Sequence, residues 1–313
     1  MGFRILPAIL LALALLLPPL GASQLRAAVP VPSARSQMLV STDWLARHLN
    51  DPAVVILHVG ERAGYDTGHI PGARFIALSD LAVTRGPLRN ELPPVADLQK
   101  LFAAAGVGDT SRVVLYGDRL GLFAARAWFT LDYLGHGSRA ALLDGGLEKW
   151  RAERHPITQQ QPRVKPAAFT ARVNPGVVVQ LAEVQNLSRQ AANPVTAPAV
   201  LLDARPPEEY AGAKVFPGLR PGHIPGAASL YWMKTLESDD DPQLLPPFEL
   251  RRLFTAAGAT PGNRVVTYCV TGVQASHLYF TAKYLGYDAA LYDGSFMEWS
   301  AAPAPVATGG PPR

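Results

Sequence analysis

Cysteine is almost absent from this chain, because its 313 residues contain a single one, Cys269. A lone cysteine cannot form an internal disulfide. We therefore expect no disulfide, and we predict neither a metal nor an organic cofactor.

Strong charge of one sign is missing as well. Charged residues make up 17% of the chain, the formal net charge is +4, and Lys and Arg are scattered rather than clustered. Nucleic acid recognition needs a basic patch or stripe, so we expect no nucleic acid partner. An apolar content of 48% is typical of a globular protein, and the length suggests about two domains.

Long apolar runs are lacking beyond the N-terminus. There, Arg4 precedes an apolar run over residues 5–17, Pro18-Pro19 ends it, and Gly21-Ala22-Ser23 supplies small residues for cleavage. This pattern is typical of a secretory signal peptide, which we predict over residues 1–23. The run is short for a membrane span, which needs about 20 residues, although an uncleaved anchor is the alternative. We expect a periplasmic or secreted protein with no stable membrane span after cleavage.

The chain also contains an internal repeat with a domain-sized interval. Four segments recur in the same order: Gly68-His69-Ile70-Pro71-Gly72-Ala73 as Gly222-His223-Ile224-Pro225-Gly226-Ala227, Arg112-Val113-Val114 as Arg264-Val265-Val266, Tyr133-Leu134-Gly135 as Tyr284-Leu285-Gly286, and Asp144-Gly145 as Asp293-Gly294. We interpret them as two copies of one domain, over residues 37–155 and 176–304, joined by a Pro-rich linker at 156–175. His69 and His223 are expected to fix turns.

Each copy alternates strand-like and helix-like segments. In the second copy, apolar runs at 199–202 and Arg264–Tyr268 alternate with helical patterns at 248–257 and 276–285. This alternation predicts an α/β fold, with a mainly parallel sheet and helices on both faces in each domain. Ligands of such sheets bind beyond the carboxyl ends of the strands, and Cys269 follows the end of one.

Cys269 opens a loop at the start of a predicted helix. Inward-pointing N–H groups and the helix dipole favour a thiolate, which is the nucleophilic form of cysteine. We therefore predict a lowered thiol pKa and a nucleophilic role. The alternative is a buried structural cysteine that behaves as a small apolar residue.

Three motifs together carry a family resemblance. They are the paired Gly-His-Ile-Pro-Gly-Ala blocks, the Cys-x-x-Gly-x-x-Ala loop, and Tyr292-Asp293-Gly294-Ser295-Phe296 with Glu298-Trp299. The chain resembles the tandem-domain rhodaneses, the thiosulfate and 3-mercaptopyruvate sulfurtransferases, from about Ser41 to Trp299. The resemblance implies that the second domain transfers sulfur through a persulfide on Cys269. It also implies that the first domain lacks the cysteine, since Asp118 aligns with Cys269.

The resemblance implies that Asp203 and Arg205 lie near the nucleophile, and the neighbouring cations Lys214 and Arg220 are further candidates for attracting an anion. The predicted loop, called the cysteine loop below, is formed by Cys269, Val270, Thr271, Gly272, Val273, Gln274 and Ala275, and the predicted supporting residues are Asp203, Arg205, Lys214 and Arg220. We read Arg205 as an orienting cation with Asp203 as its partner. The alternative for this pair is an ion pair that only fixes the strand end. The predicted partners are a small sulfur donor and a thiophilic acceptor, cyanide or a thiol.

Departures from the family pattern leave the donor open. Val270 and Thr271 match neither the thiosulfate-preferring nor the mercaptopyruvate-preferring relatives well, and Glu209 stands where several relatives carry a substrate-binding Arg. We predict a thiosulfate-like donor, with 3-mercaptopyruvate as the alternative. An exported sulfur carrier with little turnover is a second alternative. A phosphatase would need an Arg where this chain has Ala275, so that function is disfavoured.

Overall fold

The structure, a computed structural model, describes residues 1–2, 37–191 and 197–310. Residues 3–23 of the predicted signal segment lie outside this described part. Among the residues that are described, no helix combines the length and the apolar character that crossing a bilayer requires.

The first half of the chain forms a five-stranded parallel sheet and a small hairpin. The strands are β1 (Leu39–Val40), β2 (Val54–Gly60), β3 (Arg74–Ala77), the hairpin strands β4 (Val83–Arg85) and β5 (Leu88–Glu91), β6 (Arg112–Gly117) and β7 (Ala140–Leu143). The helices are α1 (Thr42–Arg47), α2 (Arg62–Thr67), α3 (Val95–Ala104), α4 (Leu122–Tyr133) and α5 (Gly146–Ala152). The sheet order is β1-β7-β6-β2-β3, and the antiparallel β4–β5 hairpin stands apart from it.

The second half repeats this arrangement. Its strands are β8 (Val178–Val179), β9 (Ala199–Asp203), β10 (Ala228–Ser229), β11 (Arg264–Tyr268) and β12 (Asp288–Tyr292). Its helices are α6 (Leu181–Gln190), α7 (Pro207–Tyr210), α8 (Pro247–Ala256), α9 (Val273–Leu285) and α10 (Ser295–Ala301). The sheet order β8-β12-β11-β9-β10 matches that of the first half strand for strand, and all pairings are parallel. The predicted duplicated α/β fold is therefore confirmed.

Helices α4 and α9 pack against each other between the two sheets. Trp128 meets Phe280 edge to face at 5.0 Å between ring centroids, and Phe129 meets Tyr279 in the same way at 5.1 Å. Both helices are buried over most of their length, which explains why neither sequence separates into an apolar and a polar face. One apolar cluster consequently contains residues from both halves.

The two histidines of the repeated blocks fix turns, as predicted. His69 stacks on Tyr65 at 3.7 Å, and its Nδ1 lies 2.9 Å from the Tyr65 carbonyl oxygen. His223 stacks on Tyr210 at 3.7 Å, and its Nδ1 lies 2.8 Å from the Tyr210 carbonyl oxygen. These bonds occupy the imidazoles in the same way in both halves, so they serve the fold.

Candidate active site

The cysteine loop starts at the carboxyl end of β11, the central strand of the second sheet. Cys269 directly follows Tyr268, and α9 begins at Val273, earlier than the predicted start at residue 276. Gly272 makes this early start possible, because its φ of 82° turns the chain through the left-handed region. A Cβ on Gly272 would also lie 3.1 Å from the main-chain and a carboxylate oxygen of Asp293. The conformation therefore favours glycine here, and a larger residue would also force Asp293 to shift.

The thiol of Cys269 lies inside the protein, with only 1% of the residue exposed. Burial raises its pKa above the ordinary value, because a buried anion loses its hydration, and the charge of Asp203 raises it further. Backbone N–H groups of Ala275, Thr271 and Gln274 hydrogen-bond the sulfur and lower the pKa, but burial is the larger effect. The prediction of a lowered thiol pKa is therefore wrong, although the amide groups on which it relied are in place.

The segment after β12 holds the cysteine loop from the other side. The Phe296 N–H donates to the Cys269 carbonyl at 2.9 Å, and the Met297 N–H donates to the Val270 carbonyl at 3.1 Å. The Cys269 N–H in turn donates to Ser295 Oγ at 3.3 Å. Ser295 adopts a left-handed φ of 52°, which is uncommon for a residue other than glycine. The motif recognised in the sequence thus fixes the main chain on which the sulfur is mounted.

Asp203 and Arg205 form a buried ion pair at the end of β9. Their side chains are 0% and 3% exposed, and Arg205 Nε donates to Asp203 Oδ1 at 2.9 Å. Arg205 also donates to the Gly222 carbonyl at 2.8 Å and lies 4.2 Å above the Phe296 ring. Burial favours a lower pKa for Arg205, but the charge and hydrogen bonds of Asp203 raise it. These contacts are those of the strand-end alternative, and an orienting role toward substrate stays a prediction.

The two other predicted cations have different surroundings. Arg220 donates from its guanidinium to main-chain carbonyls of the C-terminal segment, including Trp299 at 2.8 Å and Ala304 at 2.7 Å. Lys214 is exposed. Arg220 therefore stabilises the main chain of the C-terminal segment. Anion attraction by Arg220 or Lys214 stays a prediction.

Glu209 is the acid that departs from the family pattern. It is partly buried next to the Asp203–Arg205 pair, and burial raises its pKa, while the charges of Arg205 and Lys214 lower it. Its neighbour Glu208 is exposed. The partly buried position gives the charge of Glu209 less screening by water than that of Glu208.

Asp118 lies in the first half's counterpart of the cysteine loop, one residue beyond Gly117, which follows Tyr116 as Cys269 follows Tyr268. Its Oδ1 lies 3.3 Å from His58 Nε2, and its Oδ2 accepts a hydrogen bond from the Glu61 N–H at 2.6 Å. Burial raises the pKa of this carboxyl, but the hydrogen bonds from His58 and Glu61 outweigh it and lower the pKa. Asp118 is thus tied to the ends of neighbouring segments, and the first half has no thiol in this place.

The first half instead contributes to the second half's loop. Arg126 on α4 is fully buried, and its Nη1 donates to Asp293 Oδ1 at 2.7 Å. Asp293 Oδ2 accepts a hydrogen bond from the Leu92 N–H, also at 2.7 Å. The sequence analysis missed this pair. A lone charged residue within the apolar stretch of α4 was the available signal, since buried charges need partners.

Glu91 lies at the end of the hairpin and near Asp293. Burial, followed by the charges of Asp293 and Glu298, raises its pKa to about 7. A carboxyl with a raised folded-state pKa stabilises the fold below its unfolded pKa of about 4.3 and loses that contribution as the pH rises to about 7. The ionised form of Glu91 is therefore destabilising above neutral pH.

We expect Glu91→Gln to stabilise the protein at pH 8 relative to wild type by about 2 kcal/mol, and to change stability little at pH 4. Urea unfolding at both pH values measures the difference. Glu249→Gln, in an exposed pair with Arg252, is the matched control, because surface pairs contribute only about 0–1 kcal/mol. An equal effect of Glu91→Gln at both pH values would contradict the assigned pKa.

Comparison with known proteins identifies the family. The Rhodanese-like domain model matches the chain twice, over residues 41–153 and 183–302. This chain belongs to the rhodanese family. The two matches cover most of the two sheets and their helices, so both halves are rhodanese-like domains, and the resemblance noted in the sequence is confirmed.

Several curated rhodanese relatives match nearly the whole length. "Sulfur carrier protein TtuD" from Thermus thermophilus is 34% identical over 276 residues, covering 85% of this chain and 94% of the relative. "Probable 3-mercaptopyruvate sulfurtransferase" from Pseudomonas aeruginosa is 36% identical over 290 residues, covering 88% and 99%. "Thiosulfate sulfurtransferase" from Cricetulus griseus is 31% identical over 280 residues, covering 83% and 91%. Sulfur chemistry is common to all three names.

The fold of this rhodanese also matches solved structures. The crystal structure of SseA, a 3-mercaptopyruvate sulfotransferase from Escherichia coli, superposes with a TM-score of 0.73 at 27% identity. The match covers 82% of this chain and 98% of SseA. The two-domain arrangement is therefore shared over essentially the full length of SseA.

Proposed function

We propose that this protein is a sulfurtransferase that moves a sulfane sulfur from a small donor to a thiophilic acceptor through a persulfide on Cys269. The observation that carries the proposal is the position of the chain's single cysteine. It lies at the carboxyl end of the central strand, with three loop N–H groups directed at its sulfur. The names of the relatives support sulfur transfer as the reaction class.

The proposed reaction has two displacement steps. The thiol first releases its proton to solvent. The thiolate then attacks the outer sulfur of the donor, a new S–S bond forms, and the old S–S bond of thiosulfate breaks. Sulfite leaves with the electron pair of that bond, and an anionic Cys269 persulfide remains. An acceptor such as cyanide then attacks the terminal sulfur, thiocyanate leaves, and the thiolate is regenerated.

The amide groups of the cysteine loop match the charge of these species. Thiolate and persulfide are both anions, and a concave set of main-chain N–H groups stabilises an anion without bringing a counter-charge. Burial of the sulfur keeps water and bulky thiols away from the persulfide. The same burial raises the thiol pKa, so loading becomes faster as the pH rises toward that pKa.

The proposed donor is thiosulfate-like, with 3-mercaptopyruvate as the alternative. Relatives are named for both donors, so their names do not choose between them. Glu209 is unfavourable for a dianion, because its charge repels thiosulfate more strongly than mercaptopyruvate. The donor preference therefore depends on the charge at position 209, and reversing that charge tests it.

We expect Glu209→Arg to raise kcat/KM for thiosulfate by roughly tenfold, because replacing an acid by a base near a dianion changes the interaction by about 1–2 kcal/mol at partly screened sites. Steady-state kinetics with thiosulfate and cyanide measure the change. Glu208→Arg makes the same charge change on the adjacent exposed residue and should have a smaller effect. Equal effects of both substitutions would show that only net charge matters.

The decisive experiment is a donor panel on the wild-type protein. Thiosulfate and 3-mercaptopyruvate are each assayed with cyanide and with a small thiol, and intact mass is measured after each donor. A mass gain of one sulfur with rapid turnover supports the transferase. A stable mass gain without turnover identifies a carrier, and no mass gain with either donor overturns the proposal.

We further propose that the protein is exported, and the support is the N-terminal pattern of a charged residue, an apolar run and small residues. Sequencing the N-terminus of protein purified from cell fractions tests this. A mature chain that still begins at Met1 in the cytosolic fraction would contradict export.

A further inference from the structure

Asn90, at the end of the first half's hairpin, contacts the cysteine loop of the second half. Its Nδ2 donates to Thr271 Oγ1 at 2.9 Å. Asn90 has a left-handed φ of 61°, a conformation that asparagine tolerates better than most residues. This backbone turn places its amide on the loop two positions after the nucleophile.

Thr271 is one of the residues whose main-chain N–H hydrogen-bonds the Cys269 sulfur. Its side chain is therefore attached to the same residue that supplies an anion-binding donor. A hydrogen bond that fixes the Thr271 side chain also restricts the rotation of its peptide group. By fixing the Thr271 side chain, the hydrogen bond from Asn90 therefore helps to set the direction of the Thr271 main-chain N–H.

Asn90 is itself held firmly. Arg126 Nη2 donates to the Asn90 carbonyl at 2.6 Å, while Nη1 of the same guanidinium bonds Asp293. The Leu92 N–H binds the other carboxylate oxygen of Asp293. Hairpin, α4 and the segment after β12 are therefore joined by one fully buried guanidinium. The Asn90 amide is aimed at Thr271 by this network, whose members come from both halves.

The equivalent contacts from the second half to the first half form no such network. The Leu244 N–H of the second half donates to Asp144 Oδ1 at 3.0 Å, as the Leu92 N–H of the first half donates to Asp293. His277 stands at the position equivalent to Arg126, and its Nδ1 lies 3.4 Å from Thr235 Oγ1. Leu120 stands at the position of Thr271, so the loop there has no hydroxyl to fix. Within the described residues, the complete network is built over the loop that carries the thiol.

We propose that Asn90 is a positioning residue of the cysteine loop, supplied by the domain that has no cysteine and held in place by Arg126. Through Thr271 it keeps a main-chain N–H directed at the Cys269 sulfur. The inference rests on the proposed function, because it assumes that an anionic sulfur at Cys269 does the chemistry. It gives the first domain a part in the reaction beyond packing.

The proposal predicts an effect on the anionic states and little effect on donor binding. Misdirecting one N–H group weakens the stabilisation of the thiolate and of the developing persulfide. Loss of a whole oxyanion donor costs about 10²–10³ in rate, so an indirect loss should cost roughly tenfold. The loading rate constant should fall while the donor concentration for half-maximal rate stays nearly constant.

Two substitutions remove the contact from opposite sides. Asn90→Gly keeps the left-handed backbone but removes the amide, and Thr271→Val keeps the shape but removes the accepting oxygen. Arg89→Gly changes an exposed residue of the same hairpin and serves as the control. Single-turnover loading from thiosulfate is measured for each variant, together with the pH dependence of Cys269 alkylation by iodoacetamide.

We expect Asn90→Gly and Thr271→Val each to lower the loading rate constant about tenfold and to move the alkylation profile to higher pH. The double variant should be no worse than either single one, and Thr271→Ser, which keeps the oxygen, should lose less than Thr271→Val. Wild-type values in both Asn90→Gly and Thr271→Val, or effects that add in the double variant, would overturn the proposal.

The alkylation profile separates this inference from the proposed function. If wild type takes no sulfur from thiosulfate, the proposed donor chemistry fails in the wild-type arm. The alkylation profile still reports whether Asn90 acts on the thiol, since it needs no donor. Thermal unfolding of each variant identifies any loss that comes from misfolding.

Discussion

Cys269→Ser should lower sulfur transfer by roughly 10³-fold or more and leave the fold unchanged, because an alcohol at this position cannot form a persulfide. The chain offers no other thiol to replace it. Serine fits the site, since the loop is fixed by main-chain bonds from Phe296 and Met297 rather than by the sulfur. Turnover with thiosulfate and cyanide measures the loss, and circular dichroism checks the fold.

The mass and pH dependence of sulfur loading provide the control for this experiment. Wild type should gain the mass of one sulfur on incubation with the donor, and Cys269→Ser should gain none. Because burial raises the thiol pKa, the wild-type loading rate should rise about tenfold per pH unit below that pKa. A serine variant that retains a substantial fraction of wild-type turnover would remove Cys269 from the mechanism.

The fold could be predicted from the sequence because the same strand and loop motifs occur twice in the same order. Arg112-Val113-Val114 and Arg264-Val265-Val266 begin equivalent central strands, and Gly68 and Gly222 begin equivalent blocks. Two occurrences of each signal in the same order exclude chance better than one strong motif does. The same patterns place Cys269 beyond a strand end, which local periodicity and chain order alone determine.

The electrostatics of the site could not be predicted in this way. The thiol pKa depends on how completely the surrounding chain removes water, and no local motif encodes that. The N–H groups of the loop follow from local sequence, and they do lower the pKa. Burial depends on the tertiary packing around the loop and is the larger effect, so the net direction needed the structure.

Contacts between the two halves could not be predicted from the sequence either. Asp293 and Arg126 come from different domains, and neither spacing nor periodicity pairs them. The motif around Asp293 could be recognised as a family signature, but its partner could not. The main-chain carbonyls to which the Arg220 guanidinium donates could not be predicted either, and its predicted attraction of an anion is a separate, untested prediction. A charged residue in an apolar segment indicates that a partner is needed, but the sequence does not identify that partner.

The Arg126–Asp293 pair leads to the largest expected effect on stability. Arg126 is 0% exposed and the Asp293 side chain 8% exposed, so removing the cation leaves a carboxylate buried without its counter-charge. Breaking a buried pair in this way typically costs about 3–5 kcal/mol, mainly because the remaining charge is uncompensated. We expect Arg126→Met to lower the free energy of unfolding by that amount.

Chemical denaturation of three variants tests this account of Arg126. Arg126→Met combined with Asp293→Asn should recover part of the loss, because the second change removes the stranded charge. Arg252→Met breaks the exposed pair with Glu249, in which the side chains are 66% and 39% exposed, and should cost no more than about 1 kcal/mol. If Arg126→Met were no more destabilising than Arg252→Met, the buried guanidinium would contribute nothing measurable to the free energy of unfolding. Its role would then be limited to its hydrogen bond to the Asn90 carbonyl.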